Sequence, residues 1–270
     1  MNETATIAEA QLEEAARRLL RADAERMPCA PVRDLIGADD LHAAYAVQQR
    51  VVRDRIQRGG VVVGRKIGLT STAVQEQLGV DRPDFGILFA DMAHLDGDTV
   101  PIRSVQQPRV EAEIAFVLAE DLAEGPLDIT QVRAAIDYAV AALEVCGSRI
   151  EDWDIRFADT VADNASSGAF VLGPRRLTLR EFEPRDVVMS LTVDGTEVAT
   201  GNGTACLGDP LEAVAWLARQ ARELGDPLRA GQVVLSGALG PMYPVVAGNQ
   251  VTASISPLGA VTVNFGGGES

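Results

Sequence analysis

Five ionisable side chains stand in apolar settings that ordinarily exclude charge. Glu111 and Glu113 lie two residues apart in "PRVEAEIAFVL", and Glu144 sits in "AVAALEVCG". Lys66 is flanked by Arg65 and Ile67 in "GRKIGLT", and Asp84 belongs to "RPDFG". On a strand, alternate side chains share a face, so Glu111 and Glu113 leave the same side with Cα atoms roughly 6.7 Å apart. Two ionised carboxylates ~5 Å apart repel by roughly 3 kcal/mol at an effective dielectric of 20. On a closed face, one carboxylate takes up a proton or a cation sits between them. A face open to water would remove the conflict, but it continues into Ala115 and Val117, which gives no sign of lasting exposure. Glu144 adds a third acid that needs a partner if buried. Three glutamates with no matching lysines or arginines on those strands suit a divalent ion with hard oxygen ligands and positions left for water or a chelating substrate.

The other polar groups each have two readings. Lys66 is an edge-strand lysine that blunts aggregation, or an ammonium that holds a carboxylate or moves a proton. Asp84 caps a local turn or faces a cleft. Asn164, Ser166 and Ser167 in "VADNASSG" form a polar loop or line a cleft with donors, and Ser236 in "LSGALG" marks a bulge or a close approach to a carboxylate. The glycine-rich "GNGTACLG" leads from a hairpin and lacks a lysine, so it is a poor phosphate cradle. There is no GxSxG elbow, and two histidines, His42 and His94, give little support to a Ser-His-Asp triad or to a zinc site.

The elements that must carry these groups follow from periodicity. Residues 5–22 have helical spacing, and a second helix is expected from a cap near Asp39 to Gly59-Gly60. From residue 61 the pattern turns to β. Strands are expected at "VVVGRKIGL", "GILFA", "RVEAEIAFVLAE", "LEVCG" and "GAFVLG", with a hairpin around Asp194-Gly195 and two strands around Leu258-Gly259. Helices are expected at "STAVQEQLG", at "ITQVRAAIDYAVAA" and, most clearly, at "GDPLEAVAWLARQARELG", with Asp209 as cap and Pro210 in the first turn. This is an α+β chain, with a helical part over 1–60 and a mixed, largely antiparallel β domain over 61–270.

The 270 residues are 47% hydrophobic, ample for a sizeable core. A net charge of −15 argues against nucleic acid or an anionic membrane as a partner. The first twenty residues lack a basic start followed by an apolar core, so no signal peptide is expected, and no apolar run is long enough to span a membrane. Three widely spaced cysteines, none in a CxxC pair, suggest a reducing cytoplasm.

The segments "VVGRKIGLTSTAVQEQLGVDRPDFGILFADM", "QPRVEAEIAFVL", "ALEVCGSRIEDWDIRFADTVADNASSG", "GNGTACLGDPLEAVAWLA" and "LSGALGPM" together resemble the 2-keto-4-pentenoate hydratases of the fumarylacetoacetate hydrolase superfamily. The likeness runs from about residue 30 to 265. It implies a mixed β-roll with an N-terminal helical part. It also implies a Mg²⁺ or Mn²⁺ ion held by Glu111, Glu113 and Glu144, and a substrate site with Lys66 and Asp84 as catalytic candidates. Leu69, Ser166 and Ser236 are the substrate contacts it suggests. The implied enzyme is a carbon–oxygen lyase, homo-oligomeric and cytoplasmic. It would hydrate a small 2-hydroxy-dienoate in the meta-cleavage breakdown of aromatic compounds, beside an aldolase and a decarboxylase. Rival readings are a 4-oxalocrotonate decarboxylase or a hydratase of a longer 2-oxo-alkenedioate. A further cation deep in the pocket would favour the decarboxylase; the sequence identifies none, with Arg109 and Arg149 left open. A C–C hydrolase or a non-catalytic metal-binding protein has less support.

Overall fold

The computed structural model describes residues 8–71, 75 and 82–267. Three helices open the chain: α1 (Glu9–Glu25), the short α2 (Arg33–Ile36) and α3 (Leu41–Gln57). Ala15, Ala16 and Leu19 of α1 are buried, as their spacing requires. The cap of α3 is Asp40, one residue later than expected, whose carboxylate accepts from the Ala43 N–H. The expected helix at "STAVQEQLG" lies almost wholly outside the described residues.

The first sheet is built from β1 (Val62–Gly68), β2 (Asp84–Phe89), β3 (Ala93–Leu95), β5 (Arg109–Leu118), β6 (Ile136–Cys146), β7 (Ser167–Leu172), β10 (Val233–Leu235) and β11 (Tyr243–Pro244). Their order is β2-β1-β10-β5-β6-β7-β3, with β11 paired to β5. The second sheet has the order β4-β13-β12-β8-β9. Its strands are β4 (Thr99–Pro101), β8 (Val188–Val193), β9 (Thr196–Asn202), β12 (Gln250–Ser256) and β13 (Gly259–Gly266). Most pairings are antiparallel; β1–β10, β13–β4 and β3–β7 are parallel. In the β8–β9 hairpin Asp194 and Gly195 both have positive φ, 50° and 77°, as a type I′ turn demands. Strands β12 and β13 lie against β6, so the two sheets share a core. Among the described residues, the remaining α-helices are α4 (Ile129–Ala135), α5 (Phe157–Ala162) and α6 (Pro210–Glu223).

The largest departure from expectation is β6. Residues 129–142 were expected to be helical, yet α4 ends at Ala135 and an eleven-residue strand starts at Ile136. That strand pairs with β5 along its whole length and with β7 through its second half. A strand covered on both faces reads as a continuous apolar run, and periodicity cannot tell such a run from a buried helix. The backbone hydrogen bonds offered on both sides decide it.

Candidate active site and metal centre

The middle of the first sheet brings the acids together. Glu111 stands directly opposite Glu144 across the β5–β6 pair, and Glu113 follows Glu111 on the same face. All three are buried: Glu111 is 6% exposed, Glu113 and Glu144 0%. The open-face reading of this strand is therefore excluded. Cys146, two residues after Glu144, joins the group, and one ligand atom from each of Glu111, Glu144 and Cys146 lies within 4.8 Å of the others. Glu113 is anchored differently. Its Oε2 accepts from the Gly237 N–H at 2.7 Å, where Gly237 has φ 98°, a conformation natural to glycine.

Lys66 enters from β1. Its Nζ is 3.0 Å from Glu144 Oε1 in a buried ion pair. Burial opposes its charge, but the surrounding acids, Glu144 foremost, outweigh burial and hold the ammonium well above its ordinary pKa. Asp84 heads β2 opposite Gly68. Its Oδ2 accepts from Thr160 Oγ1 at 3.4 Å, and among the described residues its Oδ1 has no hydrogen-bond partner. A Cβ at position 68 would sit 2.2 Å from that Oδ1, so glycine there lets the carboxylate approach the strand. Burial pushes Asp84 up to about 6, against the pull of Lys66.

The glutamates are starved of partners. Among the described residues, Glu113 Oε1 and Glu144 Oε2 are buried without a hydrogen bond, and Glu144 Oε1 has only the Lys66 contact. Burial, reinforced by Glu144, pushes Glu111 up to about 7; burial and both neighbouring glutamates raise Glu113 well above the carboxylate range. Burial also raises the Cys146 thiol, which donates to Glu111 Oε1 at 3.4 Å. Unpartnered carboxylate oxygens packed around one lysine, in a buried place, suit positive charge.

These groups open onto a cavity of 860 Å³ whose wall includes Lys66, Leu69, Asp84, Glu111, Cys146 and Ser166. Part of that wall is strained. Leu69, Trp153, Ala165 and Ser166 line the cavity with φ between 50° and 56°, and Asn164, next to Ala165, has φ 53°. Non-glycine residues in this region are uncommon and concentrate at functional sites. Asn164 holds the run in place: its Oδ1 accepts from the Ile87 N–H at 2.8 Å, and its Nδ2 donates to the Ile87 carbonyl at 2.9 Å. The result presents Ser166 with its Oγ buried and unpartnered. Ser236 sits elsewhere. It is fully buried, accepts from the Ile114 N–H at 3.2 Å and donates to the Gly237 carbonyl at 3.2 Å, beside the acids rather than on the cavity wall. Arg149, considered as a pocket cation, is spent on Asp163 and backbone carbonyls, whereas Arg109 does line the cavity. No histidine lines it.

Cys146, Thr160 and Trp153 escaped the reading of the sequence. For Cys146 the signal was present: once residues 136–146 are a strand, alternation places it on the face of Glu144.

Comparisons with known proteins bear on the chain as a whole. The family model for the fumarylacetoacetate (FAA) hydrolase C-terminal region matches residues 60–265. The TodF product hydratase of Pseudomonas putida strain F1 is 50% identical over 98% of this chain and 99% of its own. The 2-keto-4-pentenoate hydratase of Burkholderia vietnamiensis is 54% identical over 93% of this chain and 95% of its own. Among solved structures, 4-oxalocrotonate decarboxylase from Pseudomonas putida G7, complexed with magnesium and adipate, superposes with a TM-score of 0.92 at 33% identity, covering 96% of this chain and 99% of that one. Sequence relatives along nearly the whole length, a family model over residues 60–265 and a shared three-dimensional arrangement lead to one conclusion: the chain belongs to the fumarylacetoacetate hydrolase family.

Proposed function

We propose that the protein is a metal-dependent hydratase that converts 2-hydroxypenta-2,4-dienoate and water into 4-hydroxy-2-oxopentanoate, within the meta-cleavage breakdown of aromatic compounds. The observation that carries the reading is the trio of buried glutamates with unpartnered oxygens beside a cavity. Relatives at 50–54% identity bear hydratase names. These glutamates fit a divalent ion: buried oxygen atoms without donors are the ligand set of a hard cation. Glu111, Glu113 and Glu144 would hold Mg²⁺ or Mn²⁺, with the Cys146 thiol beside them. The ion would supply Lewis-acid chemistry there, polarising the 2-oxygen of the substrate and offsetting enolate charge.

The remaining work falls to side chains of the chain. Ketonisation removes a proton from the 2-hydroxyl and delivers one to C5, giving a conjugated enone. Water then adds at C4, its spare proton departs, and C3 takes up a proton. Asp84 is suited to these transfers, since its Oδ1 is free and burial brings its pKa near neutrality. The Lys66 ammonium, buried against Glu144, offsets negative charge and offers a donor to the substrate. Leu69 and Ser166 contact the substrate from the strained wall. Ser236 braces the Gly237 turn whose N–H holds Glu113.

The helical part, 1–60, would support a catalytic part, 61–270. We infer a homo-oligomer, with exposed Val61, Leu95, Val188 and Val246 as contact material, and a reducing cytoplasm that suits three free cysteines. An aldolase would consume the product.

Incubation with Mg²⁺ and the dienoate tests the reading. Loss of diene absorbance without CO₂ is expected. Release of CO₂ from oxalocrotonate would favour a decarboxylase, the activity named for the structural neighbour at 33% identity.

A further inference from the structure

The cavity wall holds a cation that the reading above leaves unused. Arg109 precedes Glu111 by two residues on β5, so its side chain leaves the same face as Glu111 and Glu113. Its guanidinium lies 4.4 Å from the centroid of the Trp153 ring, and both residues line the cavity. The ring is itself fixed: Trp153 has φ 55°, and its Nε1 donates to the Gln107 carbonyl at 3.0 Å. Among the described residues, the Arg109 guanidinium has neither an ion pair nor a hydrogen bond. Other half-buried or buried arginines are committed: Arg33 to Asp154 and Asp159, Arg65 to Asp226, Arg149 to Asp163. A planar fork stacked on a rigid ring, with its donors free, is prepared for a carboxylate.

Charge points the same way. With a divalent ion bound, the charges of Glu111, Glu113 and Glu144 would be offset by that ion and the Lys66 ammonium. The carboxylate of an incoming substrate would then draw its further counter-charge from the arginines of the cavity wall, Arg109 and Arg156.

We propose that Arg109 is a substrate-binding specificity residue that recognises the carboxylate of a 2-oxo acid, positioned by Trp153. The substrate class rests on the hydratase reading; the carboxylate recognition is measured without turnover. Arg156 also lines the cavity, exposed and unstacked, and serves as the competing cation.

The experiment is calorimetric titration, with Mg²⁺ present, of 2-oxobutanoate and its uncharged amide into the wild type, Arg109→Met, Arg109→Lys and Arg156→Met. Arg109→Met is expected to weaken binding of the acid about 10- to 100-fold while changing that of the amide less than about twofold. Arg109→Lys should recover part of the loss, and Arg156→Met should match the wild type. Mg²⁺ titrated alone should bind the wild type and Arg109→Met equally, which separates carboxylate recognition from damage to the centre. The inference is overturned if Arg109→Met binds the acid like the wild type or weakens acid and amide alike. It is also overturned if the loss follows Arg156, or if wild type that binds Mg²⁺ ignores the acid. A wild type that fails to hydrate the dienoate yet loses acid selectivity in Arg109→Met would sink the hydratase reading and leave this inference standing.

Discussion

Two groups of buried acids in this molecule are treated in opposite ways. On α5, Asp159 is fully buried and fully answered. Its carboxylate accepts from the N–H groups of Val32, Arg33 and Arg156 at 2.8–2.9 Å and from Arg33 Nη1 at 2.6 Å. Asp163, one turn later, is pushed up to about 6 by burial, but Arg149 meets it through both its backbone N–H and its Nε, so it is ionised at neutral pH. These aspartates tie α5 to α2 and to the loop after β6. Across the sheet, Glu111, Glu113, Glu144 and Asp84 are just as buried but share one lysine, the Gly237 N–H and two weak donors, the Cys146 thiol and the Thr160 hydroxyl. Burial alone does not mark a site. Unanswered burial does, because the structure tolerates a penalty there that it removes elsewhere.

The sharpest way to test the contrast is to remove one member of each group. Glu111→Gln is expected to reduce hydration by at least about 10⁴-fold, while circular dichroism and the melting temperature of the metal-free protein stay at or above wild type, since a repulsive charge has gone. Asp159→Ala should do the reverse. It leaves Arg33 and three N–H groups without their acceptor and should cost about 3–5 kcal/mol, read by denaturant unfolding. Its activity, measured where the variant is still folded, should stay within a few-fold of wild type. An active Glu111→Gln, or a stable Asp159→Ala, would erase the distinction.

Mg²⁺ supplies the next step down in magnitude. Free ion at 100 times its dissociation constant should stabilise the wild type by about 2.7 kcal/mol, with a matching rise in melting temperature that EDTA reverses. Glu144→Gln should show no such rise, whereas a variant in the answered group that remains folded should show it in full. A rise that persists in Glu144→Gln would place the ion elsewhere.

Much of this contrast was legible in the sequence, and the illegible part has physical causes. Glu111 and Glu113 were readable because strand alternation is a short-range rule. Glu144 was readable because an acid in "AVAALEVC" has no local partner. The start of β6 was not readable: a run such as "IDYAVAALEVC" satisfies either period, and only β5 and β7 on its flanks choose. The relation of Cys146 to Glu144 did not depend on that start, since both stand in the expected strand "LEVCG", two residues apart. The left-handed run at Asn164–Ser166 was equally hidden, because no glycine announces it and the bonds that enforce it come from Ile87, seventy-seven residues away from Asn164. Arg109 was seen as a charge, but its Trp153 platform depends on a loop conformation no local pattern encodes.

The smallest expected effect concerns stability and pH. Asp84 has a folded pKa of about 6, raised by burial above its ordinary 3.8. A carboxyl with a raised folded pKa favours the folded state below its unfolded pKa, and loses that contribution as pH rises through the folded value. Between pH 4 and 6 the penalty of holding Asp84 ionised therefore grows, reaching on the order of 2–3 kcal/mol above pH 6. Asp84→Asn removes the ionisation and keeps the shape. The metal-free variant should be more stable than wild type at pH 8, with the advantage shrinking toward zero at pH 4. Hydration by the loaded variant should fall at every pH. Parallel unfolding curves at the two pH values decide the matter. An advantage independent of pH would mean that Asp84 is answered after all, like Asp159, by a partner that keeps its charge.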